Sequence, residues 1–261
     1  MPEPEIHATA IIHPSANIAS GVRIGPYCVV GENSTIGEGS ELKQHVSIGE
    51  NTEIGSDNVF YPYACIGQRT QDLKYTAEPT GLKIGDGNTF REFCTIHRAT
   101  NPGDFTVIGN HGNFLAYCHI AHDCIVGDHV IFSNNGTLAG HVIVDDYAII
   151  GGLTAVHQFC RIGAHVITGG CSKIVQDIPP FMIADGNPAV VRGINKIGLQ
   201  RHGFSEEDLK ALRECYKAIY MRKLNVQQAI EAIEDKALLI ANEHVAHLVD
   251  FIKTSERGII R

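Results

Sequence analysis

The sequence predicts a mainly-β fold: a parallel winding in which each group of six residues forms one side, followed by a small α-helical domain. Three observations predict it. From position 6 to position 174, every sixth residue is bulky and apolar at all but four of 29 positions, the exceptions being Asp72, Glu78, Pro102 and Thr168. A repeat of six is neither the 3.6 of a helix nor the 2 of a simple strand. Within each hexad a small residue sits four places after the bulky one, and Gly often follows the bulky one directly, as in Ile24-Gly25, Ile36-Gly37 and Ile162-Gly163, where it suits a tight corner. Beyond Ile174 the pattern fails at Asp177-Ile178-Pro179-Pro180 and helical signals replace it.

In chain order, the bulky series opens at Ile6, Ile12, Ile18, Ile24 and Val30 and runs to Ile66. It resumes at Ile84, Phe90 and Ile96, and again from Ile108 through Ile162. The two interruptions, residues 68–83 and 98–107, leave the hexad phase and contain Pro79 and Pro102, so they read as loops thrown out of the winding. Such loops on a rigid scaffold either carry binding residues or are solvated excursions. Residues 1–185 are expected to form the β domain and residues 186–261 the helical one.

In the helical part, Ser205-Glu206-Glu207-Asp208 reads as a capping box. Leu209, Leu212, Tyr216, Ile219 and Tyr220 follow it as one apolar face. Asn225 opens a second helix through Ile230 and Ile233, and Asn242 a third through Val245, Leu248, Val249 and Ile252.

Composition bounds the function. The formal charge of −8 argues against a protein that coats nucleic acid. No run of 18 apolar residues appears, so no membrane span is expected. Met1-Pro2-Glu3-Pro4-Glu5 is acidic and has no apolar core, so no secretory signal is read and the cytoplasm is the expected location. Charge is uneven: residues 1–185 carry 9 Lys+Arg against 19 Asp+Glu, residues 186–261 carry 12 against 10. This pattern suits either an acidic partner docking at the C-terminal end or an ordinary mixed helical surface. Cys28, Cys94, Cys118, Cys124 and Cys160 occupy the small inward slot, where a thiol serves as a compact hydrophobe, and no CxxC pair occurs.

The histidines carry the chemistry. If three hexads make one coil, residues 18 apart stack about 4.8 Å from one another. Gly140 then lies over His122, Gln158 over Gly140, and Asp123 under His141, while His157 lies two rungs above Ala121. His122, His141 and His157 are thus expected at neighbouring corner positions on one edge, with Asp123 close enough to orient an imidazole. A base near physiological pH, a carboxylate to fix its tautomer and a bare backbone N–H at Gly are what acyl transfer to a hydroxyl requires. Among fourteen histidines, others at corners (His45, His111, His129, His165) read as plain surface residues. A zinc site built from clustered histidines is the second enzymatic reading, although His119 and His122, three apart on an extended coil, do not share a face. A structural or ice-binding coil would show flat ranks of Thr, which this chain lacks.

The period, the small inward slot and the Gly corners resemble the hexapeptide-repeat β-helix family, which implies coils of about 18 residues. Period alone gives no handedness, and the usual crossover rule favours a right-handed path; the resemblance implies a left-handed parallel β-helix. Longer motifs narrow it. His119-Ile120-Ala121-His122-Asp123-Cys124, Leu138-Ala139-Gly140-His141-Val142, the run from Ile149 to Phe159, Gln71-Asp72-Leu73-Lys74-Tyr75, Thr95-Ile96-His97-Arg98 and Arg257-Gly258-Ile259-Ile260-Arg261 resemble the UDP-N-acetylglucosamine O-acyltransferase family, which opens lipid A synthesis. The resemblance implies His122 as general base, Asp123 as its support and the Gly140 N–H as oxyanion donor. It implies that His97, His119, His141, His157 and Gln158 line the substrate cleft, that Gln71, Asp72 and Lys74 reach in from the first loop, and that Asn195 and Arg201 contact nucleotide or acyl carrier. It further implies a homotrimer with clefts between coils, acyl carrier protein and UDP-N-acetylglucosamine as partners, no resident metal, and no cofactor beyond the phosphopantetheine that arrives on the carrier. His202 stands where some members have a second Arg, so its role is open. Small Gly169 and Gly170 suggest room for a longer acyl chain.

Overall fold

The computed structural model of the chain describes residues 2–261. Its body is a parallel β-helix. Most sides contribute a strand of two residues, and like sides stack into three sheets of eleven, nine and eight strands. The register is 18 residues wherever the hexads are unbroken, as in Ile6 beside Ile24 and Ile120 beside Leu138. It stretches to 30 at Val59 beside Thr89 and to 24 at Thr89 beside Asn113, because the two loops are inserted in those coils. Bulky and small positions both point inward. Phe60, Phe90, Phe114 and Phe132 form one internal stack with centroid spacings of 4.9, 4.7 and 5.3 Å. Each is fully buried, and burial of one such ring is worth about 1.5–3 kcal/mol. All five cysteines of the small slot are buried and unpaired.

Corners follow the same phase. The residue three places after the bulky one is left-handed at most corners of the coil, among them Asn33 (φ 53°), His45 (58°), Asn51 (51°), His111 (57°), His129 (56°), Asn135 (62°) and His165 (56°). Gly21, Gly39 and Gly87 hold the same place. Asn, Asp and His tolerate this conformation best among non-Gly residues and hold many of these places, five of the fourteen histidines among them, while Tyr27, Tyr63, Phe93, Tyr117, Tyr147 and Phe159 put aromatic rings at others. Asp123 (φ 59°) and His141 (φ 60°) sit at such corners, but His122 lies one place earlier, where turn chemistry does not call for histidine.

The coil ends differently from the sequence expectation. Met182–Gly186 continues the eleven-stranded sheet and pairs antiparallel with Ala189–Ile194. The change placed at residue 186 therefore falls inside a hairpin, and the helical segment begins at Lys196. A strand pair that only extends an existing sheet has no hexad signature. Five α-helices follow among the described residues: α1 (Lys196–Arg201), α2 (Glu206–Tyr216), continued by a π-helical turn (Lys217–Met221), α3 (Val226–Glu234), α4 (Ala237–Ile240) and α5 (Glu243–Lys253). The capping box at Ser205 and Asp208 is present, and Asn225 and Asn242 cap α3 and α5. The helices close the end of the coil: Arg161 stacks over Phe251 of α5 at 4.2 Å, and Asp177 and Ile260 are joined backbone to backbone at 3.0 Å. Among the described residues no helix is long and apolar enough to cross a membrane.

Candidate active site

Two consecutive rungs of one corner bring together His122, Asp123, Gly140 and His141. The rung hydrogen bond from the His141 N–H to the His122 carbonyl, 3.0 Å, fixes the vertical register. Asp123 Oδ2 lies 2.7 Å from His122 Nδ1 and 3.6 Å from His141 Nε2. His122 is largely buried and His141 about a third exposed. Burial pushes the Asp123 carboxyl up, but hydrogen bonds from His122 and Thr100 outweigh it and hold the group below the ordinary carboxylate range. An ionised carboxylate can only accept, so Nδ1 of His122 carries the proton that faces it. Nε2 is then left with a free lone pair, the arrangement a general base needs.

That ring lies flat against Gly140. A Cβ on Gly140 would come within 2.6 Å of His122 Nε2 and 3.0 Å of Nδ1, with Cε1 closer still. Only glycine leaves this space to the imidazole. The Gly140 N–H donates to no group among the described residues. Its place in the hexad is the one held by Pro14, Pro26 and Pro62 elsewhere, which shows that the rung ladder does not use an N–H there. A general base and an uncommitted backbone donor thus sit side by side at an open corner, the juxtaposition that stabilises a developing oxyanion next to a deprotonated hydroxyl.

The neighbouring histidines are of two kinds. His119 bonds Thr95 Oγ1 through Nδ1 at 2.7 Å and meets the His97 ring edge-on at 4.9 Å. His97 is buried with Nδ1 unpartnered, and burial, helped by His119 and His122, lowers its pKa to about 4. Burial also lowers His119. Both are thus uncharged at neutral pH. His157 and Gln158 are exposed. The His157 ring makes one hydrogen bond, from Nδ1 to the Gln158 carbonyl at 3.1 Å, and meets neither His122 nor His141 among the described residues. The expected three-histidine cluster is therefore two histidines and a carboxylate. The rung above His141 is completed by Phe159, whose ring stacks on it at 4.6 Å.

Other expected residues lie apart within one chain. Gln71, Asp72 and Lys74 stay in the first loop, where Asp72 Oδ1 accepts from the Lys74 N–H at 2.8 Å and shapes the turn. Asn195 and Arg201 border a groove of about 640 Å³ with Tyr147, Ile149 and His165 along a different corner. Asn195 is buried and largely committed to the fold: Oδ1 caps α1 by accepting from Gly198, and Nδ2 donates to the His165 carbonyl at 2.9 Å. Lys217 pairs with Glu214 at 2.7 Å, so part of the basic excess of the helical domain is neutralised internally.

Sequence reasoning missed Thr100, Thr106 and Phe159. Thr106 Oγ1 accepts the Asp123 N–H at 2.8 Å. Thr100, in the second loop, reaches both members of the His–Asp pair. The only available signal was that this loop is inserted one coil beneath His122. The donor atoms of His122, Asp123 and His141 lie within 4.8 Å of one another, the number of protein ligands that catalytic zinc takes; the 2.7 Å hydrogen bond commits one of them to the carboxylate.

Comparison with known proteins places this geometry. A family model described as Udp N-acetylglucosamine O-acyltransferase, Domain 2, matches residues 177–260, and one described as Bacterial transferase hexapeptide (six repeats) matches residues 3–38. The acyl-[acyl-carrier-protein]–UDP-N-acetylglucosamine O-acyltransferase of Thiobacillus denitrificans is 47% identical over 257 residues, 98% of this chain and 99% of that protein. The chain belongs to the UDP-N-acetylglucosamine O-acyltransferase family. Solved members share its architecture. The Moraxella catarrhalis enzyme superposes with a TM-score of 0.93 at 46% identity, covering 98% of this chain and 99% of that one. The Francisella novicida enzyme gives 0.94 at 41% identity, covering 98% and 94%. The parallel coil and the helical C-terminal segment are thus family features, and the chain is an O-acyltransferase.

Proposed function

We propose that the chain transfers an (R)-3-hydroxyacyl group from acyl carrier protein to the 3-hydroxyl of UDP-N-acetylglucosamine, the first step of lipid A biosynthesis. The observation that carries this reading is the His122 imidazole, anchored through Nδ1 on Asp123 and packed against the uncommitted N–H of Gly140. In the reaction, Nε2 of His122 takes the proton of the sugar hydroxyl as its oxygen attacks the thioester carbonyl. The Gly140 N–H binds the resulting oxyanion, and Asp123 stabilises the imidazolium. Collapse expels the phosphopantetheine thiolate, which receives the proton back from Nε2. Metal takes no part in this scheme.

The separation of Gln71, Asp72, Lys74 and Arg201 from His122 within one chain supports a homotrimer in which a neighbouring coil supplies these groups at the seam. The exposure of Leu73, wholly uncovered in one chain, fits the same reading. Sedimentation of the purified protein tests it: a monomer at assay concentration removes the composite cleft.

The central test is a transfer assay with 3-hydroxyacyl carrier thioester and UDP-N-acetylglucosamine, comparing wild type with His122→Ala. A loss of at least ~100-fold in kcat is expected, the scale of a general base. Turnover like wild type in the variant removes His122 from that role.

A further inference from the structure

We infer that Thr100, delivered by the second inserted loop, is a positioning residue that holds Asp123 and His122 in the arrangement that leaves Nε2 free. This rests on the reading of His122 as general base and adds a residue to it. The Thr100 N–H donates to Asp123 Oδ1 at 3.1 Å, and its Oγ1 lies 3.0 Å from His122 Nδ1. With the His122–Asp123 contact of 2.7 Å, these close a ring of three contacts around one carboxylate. Each has a consequence. The backbone bond fixes the plane of the carboxylate by occupying the oxygen that His122 does not use. With the proton of Nδ1 turned toward Asp123, the Thr100 hydroxyl oxygen meets the ring as an acceptor, and Thr100 helps hold the Asp123 carboxyl below its ordinary range. Rotating the imidazole forfeits both the Asp123 and the Thr100 contacts, and moving its proton to Nε2 sets the Nδ1 lone pair against the Asp123 carboxylate.

The loop is built to hold Thr100 still. On one side Arg98 is buried and pinned by Glu50, with its guanidinium 2.6 Å from the carboxylate and 3.2 Å from the carbonyl. Its backbone N–H bonds the Gln68 carbonyl at 3.0 Å, and Ala99 is fully buried. On the other side Gly103 bonds Pro79 and Asp104 bonds Asn101. Thr100 thus stands between two anchored stretches, in place of the regular coil that would otherwise pass beneath His122. An extra loop there costs ordering entropy, and the contacts of Thr100 with both members of the dyad, beside that of Thr106 with the Asp123 N–H, are what the site gains from it.

The test compares Thr100→Val, which keeps the shape and removes the hydroxyl, with Thr100→Ser, which restores it. Steady-state kinetics are measured at saturating acyl carrier thioester, each variant also in the His122→Ala background. Expected are a fall of about 10-fold in kcat for the Val variant, the size of one hydrogen bond to a charged group, a KM for the sugar nucleotide within about 2-fold, recovery in the Ser variant, and no further fall in the His122→Ala background. A Val variant with wild-type kcat overturns the proposal, as does a fall that persists in full without His122. Should the Val variant not fold, Thr100→Ala, which deletes the same donor without a new methyl contact, is read by the same criteria. If His122→Ala itself keeps wild-type turnover, the general-base reading has failed, a result distinct from failure of Thr100 alone.

Discussion

Replacing Gly140 by Ala tests the site with the smallest perturbation available. The backbone there is outside the left-handed region, so alanine strains no dihedral, and the new methyl meets a mobile ring rather than main chain. It would arrive 2.6 Å from Nε2, whereas an ordinary carbon–nitrogen contact is roughly 3.5 Å. The imidazole must therefore shift by about 1 Å. Held through Nδ1 at 2.7 Å from Asp123, it can make that shift only by stretching this bond or by swinging Nε2 away from where the hydroxyl must bind. A misplacement of about 1 Å costs on the order of 100-fold in rate, close to 2.7 kcal/mol of barrier. The fold should not notice: glycine-to-alanine at a compatible site is neutral or mildly stabilising. Gly152 is the internal control, since it occupies the same place in its hexad and a Cβ there would find nothing nearer than the Asn134 carbonyl at 3.3 Å. The assay is kcat/KM for acyl transfer alongside thermal melting. Gly140→Ala is expected to lose ~100-fold with its Tm within a few degrees of wild type, and Gly152→Ala to stay within about 3-fold. Gly140→Ala turning over within about 3-fold of wild type would show that the ring does not need the space glycine leaves.

Three other outcomes are expected. Phe114→Ala opens a cavity in the middle of the internal ring stack and should cost about 3–5 kcal/mol in urea unfolding; a cost under 1 kcal/mol refutes the continuous aromatic core. His97 and His165 are each lowered to about 4, chiefly by burial. Their folded pKa lies below the unfolded value near 6.5, so protonation favours the unfolded chain. Stability is complete above about pH 6.5 and is lost as pH falls toward 4. His97→Asn should flatten part of that loss; an identical pH profile in the variant contradicts the assignment. Finally, purified enzyme is expected to hold zinc well below one ion per chain and to keep its activity after chelation; stoichiometric zinc with loss on chelation would instead make His122, Asp123 and His141 ligands.

Legibility varied with distance from the repeat. Helix starts at Ser205, Asn225 and Asn242 were readable because a cap is a local event, decided within four residues. The short α1 and α4, and the hairpin at 182–194, were not, because tertiary contacts rather than periodicity define them. His157 stands on the expected edge, one rung above Ala139, but stacking arithmetic gives the rung of a residue and not the direction in which its side chain leaves the coil, so it could not say that this ring would meet neither His122 nor His141. Asn195, which the family resemblance marks as a ligand contact, also serves as a helix cap and a brace to His165, roles that no sequence pattern announced.

The sequence determined the winding and its inward residues through the six-residue period, and, once the family resemblance supplies three hexads per coil, the pairing of Gly140 with His122, since that count fixes every vertical neighbour above Ile108. Only the tertiary structure decided what lies beneath that pair. The two insertions change the spacing between coils from 18 to 30 and 24 residues, and once the count is broken, no periodicity can say that Thr100 will meet the carboxylate. That contact depends on how an irregular loop is anchored in space by Arg98, Ala99 and Gly103, which is a property of the folded chain alone.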